Sequence, residues 1–172
     1  RDQLGEAPGP AAAQAGVLAD LLAEGRRAGL LGDALGPAPL AGHCSLRVGG
    51  PAGLLLRVRR SQDLGAWWRR ALAAGLPVTV LGRGSNVLIR DGGPPGLVIL
   101  NRTEDWRLID RSSDGRSAVV EAESGVTLAA LASSLAREGW SGLEAGVGIP
   151  GSVGAAVVTN AGAHGWEMAD SL

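Results

Sequence analysis

The stretch Leu81-Gly82-Arg83-Gly84-Ser85-Asn86-Val87-Leu88-Ile89 decides how this chain is read. It sets two glycines, a serine and an asparagine between two short apolar runs. Val78-Thr79-Val80-Leu81 reads as one strand and Val87-Leu88-Ile89 as another. A turn with little side-chain bulk then joins two buried strands. Such a turn can point several backbone N–H groups at one spot, which favours an anion such as a pyrophosphate. Two familiar phosphate patterns fail here. Gly82-x-Gly84 begins like a dinucleotide fingerprint, but Val87 holds the third glycine position and strand-like residues follow instead of a helix. No Gly-Lys-Ser/Thr follows, which excludes the Walker loop. What survives is a strand–loop–strand anion cradle. The plainer alternative is a glycine-rich hairpin turn, the usual meaning of a short glycine motif standing alone.

Composition narrows the classes. A chain of 172 residues is one domain or two small lobes, and 45% hydrophobic residues suffice for a core. A net charge of −1 gives no basic surface for nucleic acid. Cys44 stands alone, so no internal disulfide forms, and a reducing, cytoplasmic setting is expected. Two His and one Cys make no metal-ligand cluster. No run of about twenty apolar residues calls for a membrane span, and no signal peptide is read at the start. The chain opens on Arg1, carries its only Met at position 168 and stops at Leu172, so it reads as a piece of a longer protein.

Short helices and strands alternate along the chain. Residues 1–12 are rich in Gly, Pro and Ala and are expected to be mobile. Val17, Leu18, Leu21, Leu22 and Ala28 predict a helix ending near Gly29; residues 32–43 read as loop. Leu54 to Val58 reads as a strand. Ser61 is the expected N-cap of a helix with Asp63 in its first turn. Leu64, Trp67, Trp68, Ala71 and Leu72 follow helical spacing, and Gly75 and Pro77 close that helix. The two tryptophans are expected to be core. Asp91-Gly92-Gly93-Pro94-Pro95 is a turn and Leu97 to Leu100 a buried strand. Trp106 to Ile109 pairs with Ala118 to Ala122 around Asp114-Gly115. Thr127 is the expected cap of a helix carrying Leu128, Leu131 and Leu135 and stopped by Gly139. These elements predict an α+β domain of two small lobes. The last third then carries seven glycines in residues 142–165. That density destabilises ordinary elements, so it implies close approach of backbone to a flat or extended ligand. Ile149-Pro150, Val153, Val157 and Val158 argue against a flexible linker.

Four motifs now stand in order: Leu46-Arg47-Val48-Gly49-Gly50-Pro51-Ala52; the run from Leu81 to Leu88; Gly142-Leu143-Glu144 with Gly148-Ile149-Pro150-Gly151-Ser152-Val153-Gly154; and Asn160-Ala161-Gly162-Ala163. Together, over residues 40–172, they resemble the flavin-binding part of the UDP-N-acetylenolpyruvoylglucosamine reductase family of peptidoglycan precursor synthesis. The resemblance implies an α+β, two-lobed FAD-binding domain at residues 40–172, after an N-terminal extension with a short helix at residues 1–39. It implies that Gly82, Arg83, Gly84, Ser85 and Asn86 hold the FAD pyrophosphate through backbone amides and the Ser85 hydroxyl. Gly148, Ile149, Pro150, Gly151, Gly154 and Ala155 would line the cofactor from the other side. Asn160, Gly162, Ala163 and His164 would sit near the isoalloxazine and adenine-side contacts, with His164 where many members carry tyrosine. Arg47 is a further candidate for a phosphate contact. The FAD would be non-covalent, since residues 82–86 contain neither His nor Cys. NADPH would be the hydride donor and a UDP-linked amino sugar the substrate, with no nucleic-acid or membrane partner. Catalytic residues are expected beyond Leu172, so none is named here. Two alternatives stay open: the FAD-binding module of another flavin oxidoreductase, and a nucleotide-binding piece without activity of its own.

Overall fold

The computed structural model describes residues 10–172. Four strands build the first lobe: β1 (Asp33–Pro39), β2 (Pro51–Val58), β3 (Val78–Leu81) and β4 (Leu97–Asn101). They lie in the order β1-β2-β4-β3; β2, β4 and β3 run parallel, and β1 is antiparallel to β2. α1 (Pro10–Arg27) and α2 (Ser61–Ala73) cover one face of this sheet. The alternation of β4 shows why both faces are dry. Leu97 and Ile99 pack against Leu18, Leu21 and Trp67 of the helices. Val98 and Leu100 pack on the other face against Leu40, Leu55 and Leu81. A strand buried on both faces needs an unbroken apolar run, which Leu97-Val98-Ile99-Leu100 supplies.

The second lobe is a hairpin of β5 (Trp106–Arg111) and β6 (Ala118–Ala122), then α3 (Leu128–Arg137) and α4 (Val153–Thr159). A small hairpin of β7 (Gly162–Ala163) and β8 (Trp166–Glu167) ends it. Leu128, Leu131 and Leu135 recur at helical spacing on α3 and meet Val153, Ala156 and Met168 in one core. No helix among the described residues is long and apolar enough to cross a membrane.

Several expectations need correction. Val87-Leu88-Ile89 forms no strand. β3 takes β4 as its hydrogen-bonded neighbour, and its outer edge is left unpaired. Val87 and Ile89 instead pack on the sheet face while Leu88 is exposed, an alternation that mimics a strand in sequence. The loop after β3 therefore leads, through residues 82–96, into a parallel neighbour and not into a hairpin partner. β3 itself is an edge strand with only Leu81 buried. Residues 32–43 are not loop: they hold β1 and a 3-10 helix, Leu40–His43. Pro37, Pro39 and Gly36 read as breakers, yet an edge strand with irregular register tolerates them. Residues 10–12 belong to α1, while residues 1–9 lie outside the described residues. β1 pairs with β2, and α1 shares their core, across the division expected at residues 39 and 40.

Details at α2 also differ. The cap position is Arg60, with no side-chain cap bond, and the Ser61 hydroxyl donates to Glu123 at 2.5 Å instead. Thr127 holds the cap position of α3, also without a side-chain bond. Asp63 is buried, and Arg60 grips it with two hydrogen bonds of 2.5 and 2.9 Å. That fork holds the Asp63 carboxyl below the usual carboxylate range. Trp67 is fully buried and donates its indole N–H to Leu31 O at 3.1 Å, but Trp68 is 45% exposed.

The Trp67 ring lies against Gly25 of α1, where an added Cβ would collide with the indole. Gly16, on the same helix, has no neighbour in that direction within 4 Å. Gly16→Ala should stabilise the protein by about 0.5–1 kcal/mol through helix propensity. Gly25→Ala should instead destabilise it by about 1–3 kcal/mol, as overpacking does. Urea unfolding of both variants checks the opposite signs.

Candidate functional site

The strands explain where the site lies. β3 and β4 are parallel, so both end at the same edge of the sheet. The carboxyl ends of parallel strands are where open α/β sheets bind ligands. β3 delivers the loop of residues 82–87 there, and β4 delivers Asn101. The second lobe faces them with Ser124, Leu128 and most of residues 149–156. Between the lobes is a cleft of about 720 Å³.

The loop has a one-sided hydrogen-bond pattern. Gly82 O accepts from Arg102 Nη1 at 2.8 Å, Gly84 O from Ser45 N–H at 2.9 Å and Arg90 O from Gly50 N–H at 2.9 Å. Among the described residues, no backbone N–H from position 82 to position 86 reaches a protein acceptor, while Val87 N–H closes a turn toward Gly84 O. Gly84, whose N–H is in this run, is buried. Buried backbone donors are nearly always paired, so the buried Gly84 marks where the run suits an acceptor from outside the chain, while Asn86 is exposed. Gly84 also has φ 70°, a left-handed residue of the kind found in anion-binding nests.

The facing jaw is sewn to its own lobe. Val153 N–H donates to Val126 O at 2.8 Å and Gly154 N–H to Ser124 O at 2.9 Å. Ala155 N–H reaches the Ser152 hydroxyl at 3.4 Å. Those amides are committed, so this jaw offers mainly an apolar wall of Ile149, Pro150, Ala155, Ala156 and Val158. The two jaws touch where the Ser85 hydroxyl donates to Pro150 O at 3.2 Å. Ser85 is thus engaged in a bridge across the cleft.

Of the residues singled out by sequence, Gly82, Arg83, Gly84, Ser85, Asn86, Ile149, Pro150, Gly151, Gly154 and Ala155 line one cleft. The others do not. Arg47 is exposed on the turn behind the loop, at φ 52°. Gly148 ends a 3-10 helix, Glu144–Gly148, outside the wall. Asn160 ends α4 in a left-handed conformation, and its Oδ1 accepts from Ala169 N–H at 3.0 Å. Gly162 and Ala163 face a separate surface depression beside Trp166 and Glu167. His164 is exposed in the turn between β7 and β8, at φ 56°. The glycine density has an internal cause as well: an added Cβ at Gly154 would press on Ser124 and one at Gly162 on Trp166 O.

Sequence reasoning missed Asn101, Ser124 and Arg102. Asn101 is 4% exposed and sits at the junction of the lobes. Its Oδ1 accepts from the Thr103 N–H (3.1 Å) and hydroxyl (3.0 Å), and its Nδ2 donates to the Ser124 hydroxyl at 2.8 Å. A polar Asn-Arg-Thr run straight after a buried parallel strand was the available signal. Arg83 pairs with Glu104 at 2.6 Å, which ties the loop to the same connection. Burial, with the Arg83 and Arg57 guanidiniums nearby, draws Arg102 below the usual arginine range.

Gly84 packs on the backbone of His43 and Cys44, and an added Cβ would collide with His43 O. The contact predicts that Gly84→Val loses stability, by about 2 kcal/mol or more. Thermal unfolding of ligand-free Gly84→Val checks this. His43 itself is held below its ordinary value of 6.5 by burial and by the charges of Arg102 and Arg57. The unfolded chain therefore takes up this proton first, and the stability that neutral His43 confers is present above pH 6.5 and lost as the pH falls below it. The midpoint of thermal unfolding should drop less on acidification in His43→Gln than in the parent.

The chain was compared with known proteins. A family model described as "FAD binding domain" matches residues 52–172. A UDP-N-acetylenolpyruvoylglucosamine reductase of Synechococcus elongatus is 48% identical over 134 residues, covering 78% of this chain and 43% of the relative. One of Gloeobacter violaceus is 46% identical over 129 residues, covering 73% of this chain and 41% of the relative. The crystal structure of UDP-N-acetylenolpyruvylglucosamine reductase from Thermus caldophilus superposes with a TM-score of 0.60 at 34% identity, over 81% of this chain and 47% of that one. The chain thus spans less than half the length of the relatives it matches. A model match over residues 52–172, on a two-lobed α+β fold with its cleft at the ends of parallel strands, places the chain in the FAD-binding-domain family.

Proposed function

We propose that this chain is the FAD-binding part of a UDP-N-acetylenolpyruvoylglucosamine reductase, and that the cleft between its lobes holds FAD non-covalently. The observation that carries the reading is the run of backbone N–H groups from position 82 to position 86 without a protein acceptor, laid along a cleft. Its volume of about 720 Å³ lies within the common range for small-molecule sites, about 300–1,000 Å³.

The donor set fits the cofactor. A pyrophosphate presents only acceptor oxygens, and the loop offers backbone N–H donors at Arg83 and Ser85 whose preceding carbonyls, of Gly82 and Gly84, are already held by the protein. Neutral amides from a rigid turn hold such an anion without the entropy cost of ordering long side chains. The wall of Ile149, Pro150 and Ala155 takes the flat ring system and keeps water from one side of it. Ser85, bonded to Pro150 O, fixes the spacing of the two jaws. Arg47, Gly148, Asn160, Gly162, Ala163 and His164 stand outside this wall.

Bound there, FAD supplies hydride transfer; the protein supplies binding, orientation and exclusion of water. In the whole enzyme NADPH is the hydride source and a UDP-linked amino sugar with an enolpyruvyl group is the acceptor, in the cytoplasm. The relatives extend well beyond the length matched here, which leaves room for a substrate domain carrying the proton donor.

Purified chain should carry a flavin absorbance band, or acquire one with FAD. Ser85→Ala should weaken retention by about tenfold or less, since one hydroxyl bond is removed and the loop amides stay. A folded chain that gains no flavin signal from added FAD overturns the proposal.

A further inference from the structure

Two peptide planes of the anion loop are held from behind. Arg102 follows β4, and its own N–H donates to Val58 O at 2.8 Å, which fixes its backbone at the end of β2. Its Nη1 forks to Gly82 O at 2.8 Å and Asn101 O at 2.7 Å. Ser45 N–H holds Gly84 O at 2.9 Å. The described residues contain no cis peptide. In a trans peptide the C=O and the following N–H point in opposite directions. Fixing Gly82 O on Arg102 therefore turns the Arg83 N–H away from the guanidinium. Fixing Gly84 O on Ser45 turns the Ser85 N–H away from the Ser45 backbone. Arg83 and Ser85 both line the cleft, and neither N–H has a protein acceptor among the described residues.

Arg102 is an unusual choice for this task. No carboxylate lies within ion-pair distance of it among the described residues; Glu104 pairs with Arg83. One nitrogen of the guanidinium, Nη1, instead donates to two main-chain carbonyls, one in the loop and one at the end of the central strand. The two N–H bonds of Nη1 are fixed in the guanidinium plane and aim at the two carbonyls in a set geometry, whereas the N–H bonds of an ammonium rotate on a shorter, flexible stem.

We infer that Arg102 is a positioning residue for the cofactor: by holding the Gly82 carbonyl it presents the Arg83 N–H to the pyrophosphate. This rests on the proposed FAD site, and the parent's own affinity tests that site first. A positioning role and a charge role separate in the variants. Arg102→Lys keeps the charge and loses the fixed, in-plane N–H pair. Arg102→Met loses both. Arg107→Met, which removes a surface charge paired with Glu121 on the other lobe, is the control.

Equilibrium titrations with FAD and with riboflavin, which has no phosphate, give the readout. Arg102→Lys should weaken FAD about tenfold and Arg102→Met by more, the scale of losing a hydrogen bond from a charged donor. Riboflavin binding should change by less than about twofold in either, and the control should match the parent. Parent-like FAD affinity in Arg102→Lys overturns the positioning role, and so does an equal loss of riboflavin. If the parent binds no FAD, it is the site reading that fails. Should the variants not fold, amide exchange in the parent decides. FAD should slow exchange of the Arg83 and Ser85 N–H groups, and unchanged exchange at Arg83 overturns the inference.

Discussion

The two lobes are held in register by one buried polar junction. Asn101, at the end of the central strand, takes both donors of Thr103 on its carbonyl oxygen and gives its amide N–H to Ser124. Thr103 is fully buried, and its hydroxyl in turn accepts the Gly125 N–H at 3.0 Å. Every partner in this chain is satisfied by another member of it. Buried polar groups are costly when left unpaired, about 1–3 kcal/mol each, so such a network tolerates one geometry and few others. The cleft is the space this junction leaves open. Its width depends on the junction, on the Ser61–Glu123 bond between the lobes and on the Ser85–Pro150 contact.

The second determinant is the asymmetry of the loop after β3. The Gly82 and Gly84 carbonyls are taken by Arg102 and Ser45, and the amides that follow them, at Arg83 and Ser85, are left. The protein thereby makes a site for negative charge from neutral groups. Gly84 serves this arrangement mainly by its close contact with the His43–Cys44 backbone, which locks the turn from the side away from the cleft. Rigidity of that kind is what a phosphate cradle requires, because the amides must not reorganise when the anion arrives.

Much of the architecture was legible from local patterns. The period of α3, the unbroken apolar run of β4 and the hairpin around Asp114-Gly115 all appear where the spacing puts them. What misled was a pattern with two physical causes. Val87 and Ile89 alternate with exposed Leu88 because they pack on a sheet face, and alternation of that kind is also what a strand shows. The prolines of β1 hid an edge strand because local propensity cannot reveal an absent pairing partner. Ser61 looked like a cap, but its hydroxyl found a carboxylate in the other lobe, 62 positions away.

The sequence by itself determined the elements and the two glycine-rich segments that form the jaws, because turn chemistry and hydrophobic period are local properties of the chain. It did not determine which residues meet. Arg102 on Gly82, Ser85 on Pro150 and Asn101 on Ser124 join positions 20, 65 and 23 residues apart. Only the parallel pairing of β3 with β4, and the docking of the second lobe against their ends, brings these groups together. The same docking left Asn160, Gly162 and His164 outside the cleft although they follow its wall in sequence. Nearness along the chain is set by covalent bonds, whereas the cleft is set by which surfaces the core requires to be buried.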